Sequence, residues 1–274
     1  MERGRIERNH ETVRTIAESD GRVGTPLAGE PAPTQTERRP AATTRLGTLL
    51  AVCGLVGGAG TTTLAYLIAR AAARQSDHSV LVADAGGSSG GLAALAGVES
   101  ARSLPELAGA LAMGVPLDGA LYASTRDGIR VIARGPEFGT PAPCVHLRTL
   151  LGDAREAHTL TVIDCGTLAG EVGQAIMGEA THVAWVLPAT RRGVELGQRV
   201  LAAAPSGRGS QLLVARRDRR QTKAPVRELR RIAAEHRLRL VLMPDLCGLD
   251  DGNLPRAVDA AQVSVQAILG ALRR

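Results

Sequence analysis

The chain has 274 residues, 44% of them apolar and 22% charged, with a formal net charge of +6 at pH 7. That is enough apolar material for one large core or two small ones. The aromatic residues Tyr66, Tyr122, Phe138 and Trp185 are too few for a stacking platform that grips single-stranded nucleic acid. The cysteines Cys53, Cys144, Cys165 and Cys247 are scattered, with no paired-thiol spacing and no histidine cluster beside them, so they read as reduced core thiols rather than disulfides or zinc ligands.

Residues 1–45 are polar, rich in Pro, Thr and Gly, and nearly balanced in charge; they read as a disordered polar leader. Their start is charged and lacks an apolar stretch, which argues against a secretory signal. No run in the chain approaches a membrane span, so the expected location is cytoplasmic. From Leu46 onward, short apolar runs alternate with longer helical-period runs. Strands are predicted at 48–54, 79–85, 129–135, 160–166, 182–188, 211–217 and 239–245. Helices are predicted at 62–75, 103–113, 146–157, 191–204, 224–236 and 255–273. Most strand runs are continuously apolar, as in strands covered on both faces. The alternation predicts an α/β fold over 46–274: a doubly wound, mostly parallel sheet with helices on both faces. Ligands of such sheets sit at the carboxyl ends of the strands.

The first strand runs into "CGLVGGAGTTTLA" (53–65) and then a helix. Gly57, Gly58 and Gly60 allow a tight turn and close backbone approach to a ligand. With Ala59, Thr61, Thr62 and Thr63 they form a candidate phosphate cradle, in which backbone N–H groups converge on an anion at a helix N-terminus. Thr62 is placed to offer its hydroxyl to Mg²⁺, and the candidate strand-end carboxylates Asp84 and Asp164 fall on the same edge of the sheet. The loop has no lysine; Lys223, far along the chain, is the only one. A bland alternative is a glycine turn that binds nothing, with the two carboxylates capping nearby backbone.

At these residues the chain resembles the ParA/MinD superfamily of deviant P-loop ATPases, whose loop reads K-G-G-x-G-K-T-T against "VGGAGTTT" (56–63) here. The resemblance extends over 46–274, through "VLVADAGGSSGGLAALAGV" (80–98), similar to the second strand and first switch, and "LTVIDCG" (160–166), similar to the Walker B strand. The loop without its second lysine is similar to the CpaE/TadZ and septum-site-determining-like branch, whose members are cytoplasmic localisation factors, several linked to pilus assembly. The resemblance implies ATP or ADP with Mg²⁺ as ligand. It also marks departures. The family's signature lysine falls on Val56 and the Walker lysine on Thr61. The D-x-D becomes Asp84-Ala85-Gly86, without the water-positioning acid. A cation that neutralises transition-state charge contributes about 10³–10⁵ in rate in related enzymes, so these losses imply a hydrolysis-deficient protein. A nucleotide-sandwich homodimer loses its usual lysine.

The charge is concentrated late. Between Arg191 and Arg239 there are fourteen basic and four acidic residues. Arg216, Arg217, Arg219, Arg220, Lys223, Arg227, Arg230 and Arg231 form a candidate surface for nonspecific DNA or an acidic protein partner; the plain alternative is a solvated face. The C-terminal run 255–273 has a broad apolar face without a basic stripe, so packing on the sheet is expected rather than membrane contact. The histidines are scattered and read as surface or capping residues. Three functional readings follow: a localisation or assembly factor with a degenerate nucleotide site, an ATPase completed by a partner's arginine, and an adaptor working through the basic region alone.

Overall fold

The computed structural model describes residues 46–75, 78–85, 91–98, 104–114, 123–125, 127–133, 144–167, 170–204, 209–217, 225–246 and 254–273. All lie in one unit spanning Thr43–Arg274. The predicted leader falls outside the described residues, as do Arg219, Arg220 and Lys223, the Gly86 position, and the cysteine Cys247.

Eight strands make one sheet: β1 (Thr48–Gly54), β2 (Val80–Asp84), β3 (Ala123–Ser124), β4 (Arg130–Ile132), β5 (Leu160–Asp164), β6 (His182–Pro188), β7 (Ser210–Arg216) and β8 (Arg239–Met243). Their spatial order is β3-β4-β2-β5-β1-β6-β7-β8. Seven run parallel, and β3 alone pairs antiparallel, on the β4 edge. All seven predicted strands are present. The pair β3 is an addition: two residues give no period to read.

The helices are α1 (Thr61–Ala73), α2 (Gly91–Ala96), α3 (Leu104–Ala112), α4 (Cys144–Ala157), α5 (Gly170–Glu179), α6 (Arg191–Ala203), α7 (Val226–Glu235) and α8 (Leu254–Leu272). They cover both faces. Along β1, Leu49, Ala51 and Cys53 join the core under α3 to α7, while Leu50 and Val52 join the core under α1, α2 and α8. Side chains alternate across a strand, so burial on both faces makes the whole strand apolar, which is why these runs were readable. Cys53 and Cys165 are free thiols buried side by side on neighbouring strands, and Cys165 is held well above the usual thiol range by a hydrogen bond with Cys53 and by burial. The C-terminal helix α8 packs as expected: Ala261, Val265, Ile268, Leu269 and Leu272 are buried, and the Ser264 hydroxyl donates to the Leu242 carbonyl at 2.9 Å. Among the described residues no helix is long and apolar enough to cross a membrane.

Candidate nucleotide site

β1 is central, between β5 and β6, and its end is fixed on both sides. Gly54 N–H donates to the Gly166 carbonyl at 2.6 Å and Leu55 N–H to the Val186 carbonyl at 2.8 Å. The loop leaves the sheet at this anchored point. Gly58 and Gly60 have φ of +71° and +92°, the left-handed region that side chains other than glycine rarely adopt. The Ala59 methyl is buried in the core between them and pins the turn from below. Gly57 and Gly58 are exposed, and a Cβ at either would meet nothing within 4 Å, so the space over the loop is open.

The loop delivers the chain to α1 without a cap. Gly60 occupies the N-cap in the left-handed conformation, no side chain accepts a hydrogen bond there, and no acidic residue stands in the first turn. The helix ladder begins with Leu64 N–H donating to the Gly60 carbonyl. The N–H groups of Thr61, Thr62 and Thr63 therefore precede the first intrahelical bond and face the positive end of the helix dipole.

The two predicted carboxylates stand together. Asp84 and Asp164 end the neighbouring strands β2 and β5, are partners in the ladder, and are 1% and 0% exposed. Asp164 Oδ1 accepts from Gly166 N–H at 3.1 Å; its Oδ2 is enclosed with no hydrogen-bond partner among the described residues. A buried carboxylate oxygen in that state is costly unless a cation or donor joins it. Thr62 is half-buried on the first turn of α1, and its Cγ2 lies 3.5 Å from where a Cβ of Gly91, the first residue of α2, would stand. This donor set fits Mg²⁺, which takes one or two protein oxygens and fills the rest of its octahedron with water and phosphate. No cluster of three or more His, Cys, Asp or Glu residues suited to a metal occurs among the described residues.

The positions of the missing lysines are filled by side chains turned inward. Thr61 is buried, its Cγ2 only 3.2 Å from where a Cβ of Gly54 would lie. Val56 packs against the core beneath α1.

Sequence reading missed one contact. Arg216, at the end of β7, sends its guanidinium across the end of β6 onto the loop. Nη2 donates to the Gly58 carbonyl at 3.3 Å, and Nη1 lies 3.4 Å from where a Cβ of Gly60 would be. The other described members of the basic group lie elsewhere. Arg217, Arg227, Arg230 and Arg231 are exposed, and Arg231 pairs with Glu235 at 2.6 Å along α7. On α6, Leu196 and Val200 are exposed apolar residues. A cavity of about 270 Å³ between α1 and α8, lined by Arg70, Arg74 and Asp259 among others, holds none of the predicted site residues.

Solved structures resemble this arrangement over nearly the whole described chain. A ParA family ATPase from Chlorobium tepidum superposes with a TM-score of 0.68 at 13% identity, covering 84% of this chain and 98% of that one. MinD in the MinC:MinD cell division complex of Aquifex aeolicus gives 0.66 at 15% identity, with 82% and 96% covered. The fold is that of the ParA and MinD ATPases. The septum site-determining protein MinD of Pyrococcus horikoshii, solved with Mg-ADP, gives 0.61 at 15% identity, with 80% and 91% covered. The sequence itself matches no protein-family model and no curated protein. The ParA/MinD likeness is therefore one of fold.

Proposed function

We propose that residues 46–274 form a ParA/MinD-type nucleotide-binding domain that holds ATP or ADP with Mg²⁺ and hydrolyses ATP poorly, in a cytoplasmic localisation or assembly factor of the CpaE/TadZ, septum-site-determining-like kind. The observation that carries the binding half is the uncapped N-terminus of α1 beside the unpartnered, fully buried Oδ2 of Asp164. The first wants an anion and the second a cation. A metal nucleotide supplies both. The loop residues 57–63 would hold the phosphates, and Thr62, with Asp164 and Asp84 behind it, would hold the metal, whose role is to screen phosphate charge.

The hydrolysis half rests on what the chain lacks. Val56 and Thr61 bring no charge where the related ATPases bring lysines, and Gly86 offers no carboxylate to orient water. Val56, packed on the core, has no charge to offer a second subunit. Nucleotide then acts as a structural or switching ligand, and work is done by the surface. The exposed arginines of α7 support an acidic protein partner for that surface, as in a localisation or pilus-type assembly; nonspecific DNA is the other anion such a face would attract.

Calorimetric titration of the full chain with ATP and ADP, with and without Mg²⁺, tests the reading. Micromolar binding that Mg²⁺ strengthens, that Asp164→Asn uncouples from Mg²⁺ and that a bulky residue at Gly58 abolishes is the expected result. No heat at millimolar nucleotide would reject it. Phosphate release faster than about one per minute on addition of a partner would instead favour an ATPase completed in trans.

A further inference from the structure

Arg216 is poorly provided for where it stands. Its Nε is enclosed without a hydrogen-bond partner, and no carboxylate among the described residues lies within ion-pair distance of the guanidinium. Its hydrogen bond to the loop is a long one, to the neutral Gly58 carbonyl. A half-buried guanidinium with an enclosed, unfilled Nε donor and no carboxylate beside it is an unfavourable arrangement. The other described arginines of the basic stretch avoid it by exposure or by a glutamate four residues on. The cost falls at a loop whose own residues carry no cation.

We infer that Arg216 is the loop's cation, supplied in cis from the end of β7, and that its missing counter-charge is the phosphate chain of a bound nucleotide. This rests on the nucleotide reading above and names the residue that makes a lysine-free loop workable. The geometry suits a positioning role. The guanidinium braces Gly58 and Gly60, the two left-handed residues that aim the loop's N–H groups, and brings a full positive charge to the same loop. Arginine stays charged at any working pH and presents several donors in a fixed fork. The backbone anchors its Cα as well: Ala189 N–H donates to the Arg216 carbonyl at 2.6 Å, and Arg216 pairs in register with Pro188.

The test is titration of the full chain and of Arg216→Gln and Arg216→Lys with Mg-ATP, ADP and AMP, alongside thermal melts without ligand. A charge-assisted contact is lost in the glutamine variant, so Mg-ATP binding should weaken about ten- to a hundredfold. The loss should shrink from ATP to ADP to AMP as phosphates are removed, and lysine should recover much of it. Mg-ATP binding by the glutamine variant within about threefold of wild type would overturn the inference. So would an equal loss for all three nucleotides with no recovery by lysine, which would make Arg216 a brace and nothing more. A wild-type chain that binds no nucleotide would instead overturn the nucleotide reading, and this inference with it.

Discussion

Two helices leave neighbouring strands at the same edge of the sheet and begin in opposite ways. α6 follows β6 and is closed by its own sequence: Thr190 sits in extended backbone and its Oγ1 accepts from Gly193 N–H at 2.9 Å. α1 follows β1 and is left open: Gly60 is left-handed and has no side chain to offer. The dipole and the unpaired N–H groups are the same physics at both ends. The chain satisfies one internally and leaves the other for something from outside. Gly193 shows how tightly the closed end is built, since a Cβ there would lie 2.3 Å from the Pro188 carbonyl oxygen. Over Gly57 and Gly58, by contrast, a Cβ would meet nothing.

The contrast can be broken by closing the open end. Gly60→Asp would set a carboxylate beside Arg216 and the start of α1; aspartate tolerates positive φ better than most residues. Nucleotide binding should fall at least about a hundredfold by calorimetry, because the new charge takes the ligand's place, while the left-handed backbone at this position lowers the melting temperature modestly. A destabilised but still binding variant would show that the open end is not where phosphate goes. Opening the closed end is the reciprocal change. Thr190→Ala should cost about 1 kcal/mol in denaturant titration and leave nucleotide affinity untouched.

Acid sensitivity should come from neither helix start. His158, between α4 and β5, is buried and lies with its Nδ1 2.7 Å from the Ser79 hydroxyl; burial, with Arg130 adding, lowers its pKa from 6.5 to about 4. The unfolded chain therefore takes up this proton first. The neutral imidazole's contribution is complete above about pH 6.5 and is lost as pH falls from there toward 4. His158→Gln should flatten that limb of the stability curve while changing little at pH 8. The smallest effect is expected on α7. Arg231→Ala removes an exposed pair with Glu235 and should cost under about 0.5 kcal/mol, with no change in nucleotide binding.

Much of the architecture is written in the chain because the sheet is covered twice. A strand such as "LLAVC" in β1 has no solvent face, and its apolar run announces it. Helices α2 and α5 were passed over for physical reasons: α2 is six residues long, and α5 carries Gly170, Gly173 and Gly178, so each depends on packing rather than on its own propensity. The glycine turn between β1 and α1 was legible because glycines at fixed offsets are a backbone requirement that composition cannot hide. Arg216 was not. In the sequence it is one member of an arginine-rich stretch, and only the order β1-β6-β7 brings it to a loop 158 residues earlier. The unpartnered oxygen of Asp164 was equally beyond sequence reading, since the residue type gives the carboxylate and only packing decides which of its oxygens is satisfied.

The central place of β1 also sets a timetable. Thr48 pairs with Leu160 and Leu50 with His182, so the first strand made finds its neighbours only when both later strands exist. At about 5–20 residues per second of synthesis, β1 and its loop wait on the order of ten seconds, exposing an apolar segment in the meantime. Parallel pairing over such separations is also intrinsically slow. The loop is thus a late structure made from early residues, and Arg216 reaches it later still. A chain interrupted between Pro188 and Arg216 would carry the glycines without that charge, and without the α8 residues that share the core beneath α1.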